Sequence, residues 1–147
     1  MEKIIVYTDG GSRGNPGPSA IGIVIKNQNN ETIKEYGEFL GSRLTNNETE
    51  YQAVIFALKK ITALFGKKTV KSLCVEINCD SELLVKQMTG KYKIIHPNIQ
   101  NLFFKIWNSK LDFKKVEFNH IPREQNTEAD KLVNQALDSE TINQKLL

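Results

Sequence analysis

The sequence predicts one α/β domain, in which a mixed β-sheet carries helices on both faces. Three segments with the composition of strands open the chain, and helices then alternate with two further strands. No linker, internal repeat or low-complexity segment divides the 147 residues, which suffice for a single core. We therefore expect a five-stranded mixed sheet in a domain spanning residues 1–138, followed by a polar C-terminal tail at residues 139–147.

The first three strands are predicted from apolar runs bounded by polar turns. They cover residues 3–9, where the run ends in Asp9, and residues 19–27 and 32–41. The segment between the first two is rich in glycine and proline, which is typical of a hairpin turn. Its glycines follow neither the dinucleotide-binding order nor the Walker pattern, so no phosphate loop of those kinds is expected.

The clearest helix is predicted at residues 45–65. Its apolar residues recur at the spacing of one helix face: Tyr51, Val54, Ile55, Leu58, Ile61 and Phe65. Three consecutive residues, Thr45, Asn46 and Asn47, are suitable N-caps. Asn47 followed three residues later by Glu50 resembles a capping box, which predicts where the helix begins.

The second half of the chain alternates between strands and helices. The predicted elements are a strand at 72–78, helices at 80–90 and 96–111, a strand at 114–121 and a helix at 127–137. The apolar side of the helix at 96–111 consists of Ile99, Leu102, Phe103, Ile106 and Trp107. Because Trp107 is in phase with the other four, we expect it in the core.

Composition excludes several classes of protein. There is no apolar run long enough to span a membrane and no N-terminal signal pattern, which favours the cytoplasm. Cys74 and Cys79 lie an odd number of residues apart on a predicted strand, so a disulfide between them is not expected. Two cysteines that face opposite sides of one predicted strand, with two scattered histidines, do not predict a zinc site. The net charge of +3 permits a polyanionic partner without requiring one.

Four carboxylates lie at the ends of predicted elements. Asp9 and Asp80 follow two strands, and Glu50 and Asp130 lie in the first turns of two helices. In open α/β sheets, ligands collect at the carboxyl ends of strands, near the point where the strand order reverses. If the first and fourth strands are central neighbours, all four carboxylates meet there. Taken singly, each residue also fits an ordinary role, as an N-cap or as a partner of the helix dipole.

Such a cluster predicts a metal site, because four carboxylates repel one another unless a cation lies between them. Ligands that are all oxygen suit Mg²⁺ or Mn²⁺ rather than zinc. Two such ions about 3.5–4 Å apart form the clamp that is used for in-line phosphoryl transfer.

The order of the motifs resembles the type 1 ribonuclease H family. The segments that carry the resemblance are YTDGGSRGNPGPSAIG, TNNETEYQAV, CDSELLVKQMTGKY and HIPREQNTEADKLVNQAL. The resemblance implies that Asp9, Glu50, Asp80 and Asp130 hold two metal ions. It also implies endonucleolytic cleavage of the RNA strand of RNA–DNA hybrids, leaving 3′-hydroxyl and 5′-phosphate ends.

Auxiliary residues follow from the same resemblance. His120 lies at the place of the family's mobile histidine, which helps proton transfer or product release, and a histidine at a strand end with a backbone partner is the alternative. The resemblance also implies two sets of substrate contacts. A pocket for a phosphate of the DNA strand is formed by Asn15, Arg43 and Thr45. The contacts with RNA 2′-hydroxyls are made by Gly11, Ser12, Asn46, Glu50 and Glu82.

The chain departs from the bacterial enzymes that carry a basic, tryptophan-bearing protrusion after the third helix. Residues 90–118 have room for one helix and little more, so the chain is similar to the compact branch that lacks the protrusion. There Arg123 shares or replaces the role of the histidine. We expect a monomer. A non-catalytic nucleic-acid-binding module, activity on double-stranded RNA, and another nuclease of the wider superfamily remain open alternatives at this point.

Overall fold

The computed structural model describes residues 2–146, apart from the side chain of Ser42. Its strands are β1 (Lys3–Ser12), β2 (Gly17–Lys26), β3 (Thr32–Leu44), β4 (Cys74–Cys79) and β5 (Lys115–His120). Its helices are α1 (Asn46–Phe65), α2 (Lys67–Val70), α3 (Glu82–Met88), α4 (Pro97–Lys110) and α5 (Thr127–Leu146), with a 3-10 turn at Arg123–Gln125. The predicted strands and helices are confirmed, and the four-residue α2 is an addition.

The five strands form one mixed sheet in the order β3-β2-β1-β4-β5. Strand β1 is antiparallel to β2 and parallel to β4, and β4 is parallel to β5. The strand order therefore reverses at the β1–β4 pair, and the first and fourth strands are neighbours, as predicted. In this pair Tyr7 lies opposite Asn78, so Asp9 and Asp80 follow at the same edge of the sheet.

Helices cover both faces of the sheet, as predicted. Helix α1 packs on one face against β1 and β2, and α5 packs on the other against β1, β2 and β3. Adjacent residues of β1 show the two faces directly, because the Gly10 Cα faces Thr49 of α1 and the Gly11 Cα faces Val133 of α5. The larger core lies on the α1 side and includes Val6, Ile77 and Leu58.

The first strand is longer than predicted, so Asp9 does not end it. Strand β1 continues to Ser12, and the turn residues that the glycine-rich motif predicts begin only at Arg13. The reason is that Gly10 and Gly11 are used here as strand residues, still paired with Ile21 and Ala20 of β2. A glycine in a strand marks a close approach of another backbone as often as a turn.

The capping box of α1 is also not the predicted one. Thr45 is the N-cap, in an extended conformation, and its hydroxyl accepts a hydrogen bond from the Glu48 amide over 3.2 Å. The Glu48 carboxylate in turn accepts from the Thr45 amide over 3.1 Å. Since Glu48 completes the cap, the Glu50 side chain is directed towards the sheet, where it is buried.

Two predictions about the outer helices need correction. Trp107 is not in the core, because 43% of it is exposed, whereas its neighbour Ile106 is fully buried. The buried residues of α4 form a narrow stripe of Ile99, Leu102 and Ile106, and Trp107 is turned about 100° away from Ile106. The polar segment after residue 138 continues α5 as far as Leu146, with nearly all of its side chains exposed.

Among residues 2–146, no helix is both long and apolar enough to cross a membrane.

Candidate active site

Three carboxylates converge at the edge of the sheet where the strand order reverses. One oxygen each of Asp9, Glu50 and Asp80 lies within 4.8 Å of the other two. Asp9 comes from β1, Asp80 follows the last residue of β4, and Glu50 is the fifth residue of α1. Three separate elements thus bring acids that are distant in sequence to one place.

A close approach of helix and strand positions Glu50. A Cβ atom at Gly10 would overlap the Thr49 carbonyl group and would lie 2.7 Å from the Glu50 amide nitrogen. Only glycine therefore lets the first turns of α1 lie directly on β1 beside Asp9. This makes Gly10 a packing requirement of the site rather than a turn residue.

Glycines on the other face of the sheet position Asp130. In the sheet register Asp9 lies opposite Gly22, and Gly22 lies opposite Gly37. A Cβ atom at Gly22 would overlap the Ala129 carbonyl oxygen, and one at Gly37 would lie 2.9 Å from that of Leu132. Helix α5 thus rests on this pair of glycines, which brings its first turn beside Asp9.

Asp130 lies at the rim of the carboxylate cluster and is exposed, so the four predicted ligands are not equivalent. Its charge nevertheless raises the pKa of both Asp9 and Asp80. Asn134, one turn further along α5, places its Nδ2 atom 3.1 Å from the Asp130 carbonyl oxygen and 3.4 Å from its Oδ2 atom. Asn134 is not among the residues predicted from the sequence, although its i+4 spacing from Asp130 is a signal for such a contact.

Burial and mutual repulsion disfavour the ionised forms of these acids. Burial, followed by the charge of Asp80, raises the pKa of Asp9 from 3.8 to about 7. Burial, followed by the charge of Asp9, raises the pKa of Glu50 well above its usual range. Burial also raises the pKa of Asp80, and the Arg123 guanidinium partly offsets that effect. Arg123 therefore compensates only part of the negative charge of the cluster.

The donor set fits a hard divalent cation. The Glu50 Oε2 atom is buried and has no hydrogen-bond partner among residues 2–146, which is costly unless another ligand is present. All the convergent ligand atoms are carboxylate oxygens, the type that Mg²⁺ and Mn²⁺ prefer. Asp9, Glu50 and Asp80 together could hold such an ion, with Asp130 at its open side.

The two auxiliary residues occupy different positions around Asp80. Arg123 is in the 3-10 turn before α5, and its Nε atom lies 3.8 Å from Asp80 Oδ2 with most of the side chain exposed. His120 ends β5 and pairs with Cys79, the residue before Asp80. Arg123 lines the cleft over the carboxylates, whereas His120 lies outside the lining.

A cleft of about 300 Å³ lies over the carboxylates and contains part of the predicted 2′-hydroxyl contact set. Gly11, Ser12 and Asn46 line it, and the Ser12 amide donates to Asn46 Oδ1 over 2.9 Å. Arg13, Asn134 and Leu137 also line it and were not predicted. Glu82 lies outside the lining, in the first turn of α3, where it pairs with Lys86 over 2.6 Å.

The residues of the predicted phosphate pocket surround the beginning of α1. The Asn46 amide donates to Asn15 Oδ1 over 3.0 Å, and Thr45 is the N-cap. Arg43, two residues before the cap, is exposed and has a φ of 75°, which is uncommon for a residue other than glycine. A helix N-terminus with a nearby guanidinium favours an anion.

Asn126 is a buried residue that the sequence analysis missed. Its Nδ2 atom donates to the Thr8 carbonyl oxygen over 2.9 Å, and its own carbonyl accepts from the Asp130 amide over 3.1 Å. It therefore joins the strand that carries Asp9 to the helix that carries Asp130. An asparagine just before a helix is ambiguous in sequence, because a cap and a buried bridge use the same residue type.

Comparisons with known proteins agree on one family. A family profile described as reverse transcriptase-like matches residues 7–136. The fold superposes on a crystal structure of LC11-RNase H1 in complex with RNA/DNA hybrid with a TM-score of 0.89 and 45% identity, covering 94% of this chain and 99% of that one. This chain belongs to the type 1 ribonuclease H family.

Two further relatives support the same assignment to ribonuclease H. The RNase H1 of the halophilic archaeon Halobacterium salinarum has 36% identity and a TM-score of 0.84, over 93% of this chain and 98% of that one. The N-terminal RNase H domain of Rv2228c from Mycobacterium tuberculosis has 32% identity and a TM-score of 0.86, over 97% and 99% of the two chains. The chain spans 36% of the length of the full Rv2228c protein, which is described as bifunctional.

Proposed function

We propose that this ribonuclease H family member is a metal-dependent endonuclease that hydrolyses the RNA strand of RNA–DNA hybrids, leaving 5′-phosphate and 3′-hydroxyl ends. The observation that carries the proposal is the convergence of Asp9, Glu50 and Asp80, two of them buried, in the lining of an open cleft. It is supported by the 45% identity to a ribonuclease crystallised with such a hybrid.

The proposed cofactor is a pair of Mg²⁺ or Mn²⁺ ions held by Asp9, Glu50, Asp80 and Asp130. When bound, such a pair supplies an activated water and stabilises the leaving oxygen of an in-line displacement. The protein's part is to hold the carboxylates in fixed positions, which the glycine contacts under α1 and α5 ensure. Because Asp130 is exposed, its carboxylate suits the role of a metal ligand that completes the coordination of the ions when the substrate binds.

Specificity for RNA is assigned to the wall of the cleft formed by Gly11, Ser12 and Asn46. A 2′-hydroxyl both donates and accepts a hydrogen bond, so it needs an acceptor and a donor side by side. The Asn46 amide side chain offers both kinds of group and is held in place by the Ser12 amide. Glu50 and Glu82 complete the proposed set, Glu82 from the start of α3.

The DNA strand is assigned to the pocket of Asn15, Arg43 and Thr45 at the start of α1. There a phosphate would meet the positive end of the helix dipole and the Arg43 charge. Phosphate contacts of this kind position a nucleic acid without reading its sequence.

His120 and Arg123 are assigned to steps that follow binding of the substrate. Both lie beside Asp80, where a cation can attract the phosphate that is being cleaved or assist departure of the product. Because neither residue is proposed to hold metal, each is expected to tune the rate rather than to be indispensable. The predictions of a monomer and of a cytoplasmic location stay predictions.

The test is digestion of an end-labelled RNA–DNA hybrid beside the matched RNA duplex and DNA duplex, with Mg²⁺. We expect internal cuts in the RNA strand of the hybrid alone, with 5′-phosphate products. Asp80→Asn, purified in the same way, is the control for a contaminating nuclease. Binding of the hybrid without any cleavage would favour the alternative of a non-catalytic nucleic-acid-binding module, and equal cleavage of the RNA duplex would show a broader ribonuclease.

A further inference from the structure

An exposed aromatic face on α4 and the segment before it takes no part in the site described above. Among residues 2–146, the exposed aromatic side chains are Tyr92, Phe104 and Trp107, at 47%, 60% and 43% exposure. All three lie within residues 83–111, which run from the second residue of α3 to the residue after α4. Exposed aromatic rings that cluster in this way mark a binding surface more often than scattered single ones do.

The rings form a continuous surface. Phe104 and Trp107 are three residues apart on α4 and therefore lie on the same side of the helix. Between them Phe103 lies edge-on to Phe104, with centroids 6.0 Å apart, and stacks on Trp107 at 5.8 Å. Tyr92, Phe103 and Phe104 line one groove of about 470 Å³.

The same segment is strongly basic. Residues 83–111 contain five lysines and neither aspartate nor glutamate, whereas the whole chain has a net charge of only +3. Lys91, Lys93 and Lys105 are exposed and have no ion pair among the residues that the structure describes. The Lys110 ammonium lies 3.9 Å from the centroid of the Trp107 ring. Aromatic rings interleaved with unpaired cations are complementary to the bases and phosphates of a nucleic acid.

Helix α3 connects this surface to the candidate active site. Helix α3 begins two residues after Asp80 and runs about 10 Å to the start of the aromatic segment. Along it Glu82 pairs with Lys86 over 2.6 Å, and the Lys86 ammonium donates to the Tyr92 hydroxyl over 3.2 Å. A strand that leaves the cleft along α3 therefore reaches Tyr92 first.

We propose that Tyr92, Phe104 and Trp107, with Lys91, Lys93 and Lys105, bind unpaired single-stranded nucleic acid that flanks the hybrid. Bases stack on the rings, and the lysines neutralise the phosphates. A duplex does not present the faces of its bases, so exposed rings fit a single strand. An apolar protein partner would have to desolvate Lys91, Lys93 and Lys105, which have no ion pair among the described residues. The inference rests on the proposed function, because the flanking strand belongs to the substrate of that activity.

The sole tryptophan of the chain provides a direct readout. A short oligothymidylate, which contains no RNA to cleave, is titrated into the full chain while Trp107 emission is recorded. We expect saturable quenching that weakens with salt. In Lys91→Ala/Lys93→Ala the slope of log affinity against log salt should fall by about 1.4, at roughly 0.7 for each phosphate. Phe104→Ala should weaken binding about 5-fold or more. Lys34→Ala/Lys145→Ala, on β3 and at the end of α5, is the matched control.

A second measurement links the surface to cleavage. Hybrids with and without a single-stranded extension are cut under the same conditions, and the extension should lower KM while leaving kcat unchanged. Lys91→Ala/Lys93→Ala should remove that difference and cleave the blunt hybrid like the wild type. The control pair of lysine variants should retain the difference.

The outcomes separate the two proposals. Unchanged Trp107 emission in a sample that cuts blunt hybrid would overturn the single-strand surface and leave the proposed function intact. Quenching that is independent of salt and of the two lysines would also overturn it, because the lysines would then not neutralise the phosphates. Salt-sensitive quenching in a chain that cuts no hybrid would support the surface and overturn the proposed function.

Discussion

Asn126 Nδ2 donates a hydrogen bond of 2.9 Å to the Thr8 carbonyl oxygen, and both residues are almost completely buried. Through this bond the residue before Asp9 is tied to the loop that begins α5. Asn126→Asp removes the donor at nearly constant shape, so we expect a loss of about 1–3 kcal/mol in the free energy of unfolding. We also expect kcat to fall by roughly 10- to 100-fold, because Asp130 is displaced relative to Asp9.

Steady-state kinetics and urea unfolding of the same variant check this prediction. Tyr51→Phe is the matched control, since it removes another buried hydrogen bond, of 2.7 Å to Gln87, without loosening α5. It should lower stability and retain kcat at temperatures where the protein is folded. If the Asn126 variant behaves in the same way, Asn126 supports only the fold.

The carboxylate cluster makes the stability of the metal-free protein depend on pH. Because the pKa of Asp9 is raised to about 7 in the folded chain, the folded state binds more protons than the unfolded state between about pH 4 and pH 7. The contribution of Asp9 to the stability in EDTA is therefore greatest below pH 4 and falls as the pH rises to about 7, by an amount on the order of 2–4 kcal/mol.

Urea unfolding across this pH range, in EDTA, measures the effect. Asp80→Asn should flatten the fall, because it removes one of the charges that raise the pKa of Asp9. Asp112→Asn, at an exposed position outside the cleft, should leave it unchanged. An equal pH dependence of stability in the wild type and in Asp80→Asn would contradict the proposed repulsion.

Hydrolysis of hybrid should require a small divalent cation. The convergent ligands are carboxylate oxygens, so we expect activity with Mg²⁺ or Mn²⁺ and none in EDTA. Ca²⁺ should inhibit, since it is larger and accepts a looser geometry. The rate of cleavage is measured in each metal and after Mg²⁺ is added back, and full activity in EDTA would exclude the metal mechanism.

Asp80→Asn should abolish cleavage under all these conditions while the protein remains folded. The variant retains the size of the side chain and loses one ligand charge, so far-ultraviolet circular dichroism should match the wild type. Near-normal turnover with Mg²⁺ would mean that Asp80 does not belong to the catalytic set.

His120→Ala and Arg123→Ala should slow turnover without abolishing it. A group that assists proton transfer contributes roughly 10²–10⁴-fold, and one that assists product release contributes less. Arg123 should have the larger effect, because it lines the cleft and lies 3.8 Å from Asp80, whereas His120 lies outside the lining. Single-turnover and steady-state rates are measured for both single variants and for the double variant, which distinguishes a shared role from separate roles. Unchanged rates in both single variants would remove these residues from the mechanism.

Arg43→Ala should weaken binding of the hybrid and lower its dependence on salt. Loss of one phosphate contact should reduce the slope of log affinity against log salt by about 0.9, with little change in kcat at saturating substrate. The titration is done with Ca²⁺ in place of Mg²⁺ to prevent cutting, and Lys145→Ala on α5 is the matched surface control. Identical slopes for Arg43→Ala and the wild type would mean that Arg43 is an ordinary solvated charge.

Much of the fold and the acidic residues of the site could be predicted from local patterns. Apolar runs and helical periodicity are properties of short segments, so they located five strands and four of the helices to within a few residues at most ends. Asp80 could be assigned to the edge of the sheet because it directly follows a strand. The three consecutive strands at the start of the chain, followed by alternating strands and helices, indicated a mixed sheet. Two boundaries are exceptions: β1 continues past Asp9 because two glycines that were interpreted as a turn are strand residues, and α5 continues past residue 137 as far as Leu146.

Local sequence patterns establish which residue types are available to the site, whereas long-range packing establishes how those residues are used. Gly10, Gly22 and Gly37 are ordinary turn or strand glycines until α1 and α5 are packed against them, and only that packing brings Glu50 and Asp130 to Asp9. Trp107 is in phase with a buried stripe, yet the width of the contact with α1 leaves it exposed. Asn126 resembles a cap in sequence and is a buried bridge in the fold. In each case the deciding contact joins residues far apart in the chain, and local sequence patterns do not record such contacts.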